Sequence, residues 1–122
     1  MMRLMKEKDS INVVNDQYGC PTYAIDLGVA LLQIISSGKS KEKPGIYNYT
    51  NAGITNWYEF AVAIKNITGS NCTVNPISTA QYPTAAKRPP YSVLDTLKIK
   101  QVFNIAIPDW EDSLQHCLAL LK

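Results

Sequence analysis

The sequence lacks most of what simple catalytic or metal chemistry requires. It has a single histidine, His116, and three cysteines, Cys20, Cys72 and Cys117, scattered over 122 residues without metal-ligand spacing. No zinc site or disulfide framework is expected, and three free thiols fit a reducing cytoplasm. There is no glycine-rich phosphate loop and no Ser/His/Asp set at a recognisable spacing. Charge of one sign is also scarce, the formal net charge being +2. The one dense basic run, "KSKEK" at 39–43, contains a glutamate and is flanked by Gly38, Pro44 and Gly45. It reads as a solvated loop and not as a nucleic-acid surface. No apolar run approaches the ~20 residues that cross a bilayer. The N-terminal "MMRLMKEKDS" has neither the apolar stretch nor the cleavage site of a signal peptide.

What is present is a core. Apolar residues make up 46% of the chain and charged ones 18%, enough for one packed domain. Met1, Leu4 and Met5 share a helical face and read as the last turns of a helix, which leads us to expect chain upstream of it. "INVVN" at 11–15 is a strand pattern. In "AIDLGVALLQIISSGK", Leu27, Ala30, Leu31, Ile34 and Ile35 recur as a buried helix face, and Gly38 is placed to end that helix. "GIYNYT" at 45–50 is a second strand candidate, followed by the turn "NAGITN". Asn56 and Glu59 form a capping-box pattern ahead of a helix whose apolar stripe is Trp57, Phe60, Ala61, Ile64 and Ile67. "CTVNPI" at 72–77 is a third short strand. Asp95 caps a short helix closed near Asn104, and Asp109 caps a last helix with Trp110, Leu114, Cys117, Leu118 and Leu121 on one face. This alternation predicts an α/β fold with a small parallel or mixed sheet and flanking helices.

Two stretches carry more than structure demands. "VVNDQYGCPTYAIDL" at 13–27 joins a strand to a helix through Asp16, Gln17, Gly19, Pro21 and Thr22, more polar and rigid residues than a turn needs. "STAQYPTAAKRPPYSVLD" at 78–95 holds three prolines and no period, so it is a long irregular loop. In its "KRPPY", two prolines fix the backbone beside Arg88, whose guanidinium suits a bidentate grip on phosphate. Tyr18, Tyr23, Tyr82 and Tyr91 lie in loops beside glycine or proline, where a ring with a polar tip can flank a ligand. Trp57, Phe60, Phe103 and Trp110 read as core.

The segments "NVVNDQYGCPTYAIDLGVALLQII", "GIYNYTNAGITNWYEFAVAI", "VNPISTAQYPTAAKRPPYSVLD" and "IAIPDWEDSLQHCLALL" occur in an order that resembles the C-terminal part of the dTDP-4-dehydrorhamnose reductases. These belong to the extended short-chain dehydrogenases/reductases, and the resemblance runs over nearly all of residues 1–122. It implies a sugar-nucleotide (substrate) binding domain that follows a Rossmann dinucleotide-binding domain not contained in this chain. It further implies NADPH or NADH as cofactor of the complete protein, reduction of dTDP-4-dehydro-L-rhamnose to dTDP-L-rhamnose, and a cytoplasmic enzyme of polysaccharide biosynthesis. The family's G-x-x-G-x-x-G turn and Tyr-x-x-x-Lys pair do not occur in this sequence. No catalytic, cofactor-binding or metal residue is therefore assigned here, and the chain alone is expected to be inactive.

By position, the resemblance implies substrate contacts at Gln17, Gly19, Pro21, Thr22, Arg88 and Tyr91. Gly19 would allow close approach, Gln17 and Thr22 would offer hydrogen bonds, and Arg88 would sit near the diphosphate. The strand at 45–50 would join the edge of the Rossmann sheet, so the isolated chain would expose that edge and an apolar helix face, and self-associate. A non-catalytic module of the same fold is the competing reading: the regulatory subunit of methionine adenosyltransferase resembles the same reductases. A freestanding sugar-nucleotide-binding protein is a third.

Overall fold

The computed structural model describes residues 1–121. The elements run α1 (Met2–Glu7), β1 (Ser10–Val14), β2 (Tyr18–Gly19), α2 (Ala24–Ser36), β3 (Thr55–Asn56), α3 (Trp57–Thr68), β4 (Thr73–Ile77), α4 (Leu97–Phe103) and α5 (Trp110–Ala119). The fold is α/β, with helices flanking a small parallel pair in which Ser10 to Val14 run beside Thr73 to Ile77. A second, separate pair is antiparallel and only two residues long, Tyr18 opposite Asn56 and Gly19 opposite Thr55. No described helix is long and apolar enough to cross a membrane.

Local signals explain most element boundaries. The Asn56 side chain accepts the Glu59 N–H at 2.9 Å and starts α3, and Gly69 ends it in the left-handed conformation. The reciprocal half of the expected capping box is absent, because the Glu59 carboxylate accepts instead from the Thr55 hydroxyl at 3.1 Å. Asp109 starts α5 by accepting the Glu111 N–H at 2.9 Å. Asp95 accepts from the Leu97 N–H at 2.8 Å, and Asn104 closes α4 with φ of 53°. Gly38 follows α2 with φ of 69°. At Gly53, φ is 89° and an added Cβ would lie 2.6 Å from the Trp110 ring, so that turn needs glycine twice over.

The main core gathers Met5, Ile11, Val13, Ala61, Ile64 and Leu114 with further residues of α5. A smaller cluster joins Ala30 of α2 to Ile99, Phe103 and Ile105. Asn51, 2% exposed, anchors the α2 terminus to α5: its Oδ1 accepts the Tyr23 N–H at 2.7 Å, and its Nδ2 donates to Asp26 at 2.6 Å and to the Ser113 hydroxyl at 2.8 Å. The Ser113 hydroxyl donates in turn to the same Asp26 oxygen.

Four sequence expectations need correction. The buried face predicted for α2 is real only at Ala30 and, in part, at Leu27 and Ile34; Leu31 is exposed, Ile35 is 67% exposed and Leu32 64%. The helix has apolar residues around most of its circumference, and only one side meets the small cluster. Residues 45–50 form no strand, because no described strand lies beside them to complete a ladder; Ile46 is 86% exposed. Lys98 holds this segment instead, donating to the Ile46 carbonyl at 2.8 Å and lying over the Tyr47 ring. Trp57 is 49% exposed rather than core, since the first residue of α3 projects beyond the layer that Phe60 and Ala61 enter. Leu121 lies past the end of α5 and is exposed.

Candidate functional site

The joint at 13–27 is built as the middle strip of a three-part wall. On one side, Tyr18 and Gly19 pair with Asn56 and Thr55 at the start of α3. On the other, the Tyr18 N–H donates to the Pro90 carbonyl at 2.8 Å, and the Ser92 N–H donates back to the Tyr18 carbonyl at 2.9 Å. The strip is thus gripped between a helix terminus and the far end of the proline-rich loop. The near end of that loop is fixed too. The Asp16 carboxylate accepts from the Thr79 N–H at 2.9 Å and from the Thr79 hydroxyl at 2.6 Å. Gln17 Nε2 donates to the same hydroxyl at 3.0 Å. These bonds, the hydroxyl first and the amide second, hold the Asp16 carboxyl below its usual range. Both ends of a long irregular segment are therefore sewn to residues 16–18, and the loop between them is presented rather than loose.

The wall encloses an open cleft of about 550 Å³. Gln17, Gly19, Pro21 and Arg88 all line it, so four of the six residues matched by position come together. Thr22 does not; it lies behind Pro21 in a separate small cavity of about 90 Å³ with Tyr23 and Cys117. Packing at that second cavity pushes the Tyr23 phenol above its usual range, with Cys117 and Asp26 adding to the effect. Tyr91 does not line the cleft; its backbone bridges to Tyr18 and the residue is exposed. Arg88 is the one charged side chain of the cleft and makes no ion pair or hydrogen bond among the described residues.

Gly19 has a structural purpose as well as its place in the cleft. An added Cβ there would lie 2.9 Å from the Ser92 hydroxyl, so its bareness admits the neighbouring loop. Cys20 also lines the cleft. No described group of three or more His, Cys, Asp or Glu residues is placed to hold a metal.

Two residues escaped the sequence reading. Trp57 lines the cleft, and periodicity had placed it on the buried stripe of α3. Asn51 organises the joint from below, and the turn "NAGITN" gave it no distinction. One signal was available: Tyr23 at the start of α2 has no capping side chain, so its N–H had to find an acceptor elsewhere.

Comparison with known proteins gives a consistent result. The family model described as the RmlD substrate binding domain matches residues 1–122. A dTDP-4-dehydrorhamnose reductase of Aggregatibacter actinomycetemcomitans is 42% identical over 128 residues, covering 98% of this chain and 43% of the relative. The crystal structure of a dTDP-4-dehydrorhamnose reductase from Clostridium acetobutylicum superimposes with a TM-score of 0.88 at 36% identity, over 98% of this chain and 41% of that one. The Bacillus anthracis enzyme, solved in complex with NADP, gives a TM-score of 0.88 at 34% identity, with the same coverage. The chain thus spans about two fifths of the length of these relatives. It belongs to the RmlD substrate-binding domain family.

Proposed function

We propose that this domain supplies the substrate wall of a dTDP-4-dehydrorhamnose reductase. Gln17, Gly19, Pro21 and Arg88 form the face that a dTDP-linked sugar meets, with Thr22 and Tyr91 supporting it from outside the cleft. The complete protein reduces the 4-keto group of dTDP-4-dehydro-L-rhamnose with NADPH or NADH: hydride is delivered to C4 and a proton to its oxygen, giving dTDP-L-rhamnose. It does so in the cytoplasm, in service of polysaccharide biosynthesis. No residue of this chain is assigned to the nicotinamide cofactor or to proton transfer, since the sequence has neither a glycine-rich dinucleotide turn nor a Tyr-x-x-x-Lys pair. The observation that carries the reading is Arg88, unpaired among the described residues, on a proline-fixed platform facing an otherwise uncharged cleft.

A dinucleotide-binding domain is the partner of the remaining apolar surface. The exposed face of α2 and the strand-free segment at 46–50 lie beside one another through the small cluster and suit the edge of a sheet. The test is an assay of the full-length protein. NADPH consumption that depends on dTDP-4-dehydro-L-rhamnose supports the reading. Binding of dTDP-rhamnose without any reduction would favour a non-catalytic module instead.

A further inference from the structure

The side chains of Asp16, Thr79 and Gln17 form a chain of hydrogen bonds whose direction has one solution. An ionised carboxylate only accepts, and the Asp16 carboxyl titrates below its usual range. It lies 2.6 Å from the Thr79 hydroxyl, so the single hydroxyl proton is committed to it. The Thr79 oxygen then has only lone pairs to offer. Gln17 must meet it with the nitrogen of its amide, and Nε2 donates at 3.0 Å. With that N–H turned toward Thr79, the carbonyl oxygen Oε1 and one N–H remain available. Gln17 makes no other side-chain hydrogen bond among the described residues, and it lines the cleft. The anchoring of the loop is a separate matter. The Thr79 main-chain N–H donates to both Asp16 oxygens, at 3.0 and 2.9 Å, whatever the hydroxyl does.

We propose that Asp16 and Thr79 are positioning residues of this site: their relay sets the Gln17 amide so that Oε1 is the acceptor offered to a hydroxyl group of the sugar. This rests on the sugar-nucleotide reading above and extends it to two residues that do not themselves line the cleft. Without the relay the amide is free to turn over and present its NH₂ group in place of the oxygen. An amide with no fixed face must be ordered at each binding event. That penalty falls on binding the substrate and not on the chemical step.

The experiment is steady-state kinetics of the full-length protein, with dTDP-4-dehydro-L-rhamnose as varied substrate. Thr79→Val keeps the shape and the main-chain anchor and lacks the hydroxyl. It is expected to raise KM by about three- to tenfold, with kcat changed by less than about twofold. Thr79→Ser restores the hydroxyl and is expected to hold KM within about twofold of the parent value. Asp16→Asn reaches the same amide from the other end. Its own N–H can donate to the Thr79 oxygen and release the hydroxyl proton toward Gln17 Oε1, so KM is expected to rise likewise. In a Gln17→Ala background neither substitution should raise KM further. A rise of the same size in that background would show that the loop and not the amide is disturbed, and would overturn the proposal. An unchanged KM in Thr79→Val would overturn it as well. A parent protein that does not reduce this substrate overturns the reductase reading, and this proposal with it.

Discussion

Helices α2 and α3 both carry an apolar stripe at helical spacing and have opposite fates. In α3, Ala61 is fully buried and Ile64 nearly so, packed between the parallel strands and α5. In α2, Ile25, Val29 and Leu32, which follow one another on successive turns, are all exposed, and Ala30 alone is buried. Helix α3 is held by what lies in this chain, and α2 has surface to spare. Periodicity states which residues share a face. It does not state whether anything covers that face.

The contrast sets the ranking of substitutions. Ile64→Ala, in the covered helix, is expected to cost about 2–5 kcal/mol in urea unfolding, because it removes buried methyl groups and leaves a cavity. Asn51→Ala should cost about 1–3 kcal/mol: it strips the Tyr23 N–H of its acceptor and leaves the Asp26 carboxylate with Ser113 as its one remaining side-chain donor among the described residues. Leu32→Glu, in the open helix, should change the unfolding free energy of this chain by no more than about 0.5 kcal/mol. Its effect appears in association instead. The chain is expected to self-associate in light scattering at high concentration, and Leu32→Glu to abolish this; a monomeric parent chain would break the contrast between the helices.

Much of this architecture was legible in advance because it is local. The starts and ends of α3, α4 and α5 follow from Asn56, Asp95 and Asp109 and from Gly69 and Asn104, residues that act within one turn of themselves. The strands at 10–14 and 73–77 announced themselves by β-branched residues between polar ones. Residues 45–50 carry an equally good strand pattern, yet a strand also needs a neighbour, and pairing is not local. Gln17 and Arg88 were brought together by position and do share a cleft. Trp57 departs from its stripe for the same reason as the face of α2: helical spacing says which residues align, and not that the stripe is covered along its whole length. Asn51 was missed because its partners lie 25 to 62 residues away.

The smallest expected effect concerns the loop clamp. The folded Asp16 carboxyl titrates below its usual 3.8, so the stability it contributes is fully present above that value. It is lost as pH falls through the lower folded value. The difference in thermal midpoint between the parent protein and Asp16→Asn should therefore be constant near neutrality and shrink in strong acid, as scanning calorimetry across pH would register.

The cleft between residues 16–21 and 88–92 stands or falls on its one cation. Steady-state kinetics of Arg88→Ala in the full-length protein test it most directly, with the dTDP-sugar as varied substrate. Loss of the proposed charge-assisted contact to the diphosphate should raise KM by about tenfold or more with kcat changed far less. An unchanged KM would remove Arg88 from the site and contradict the account.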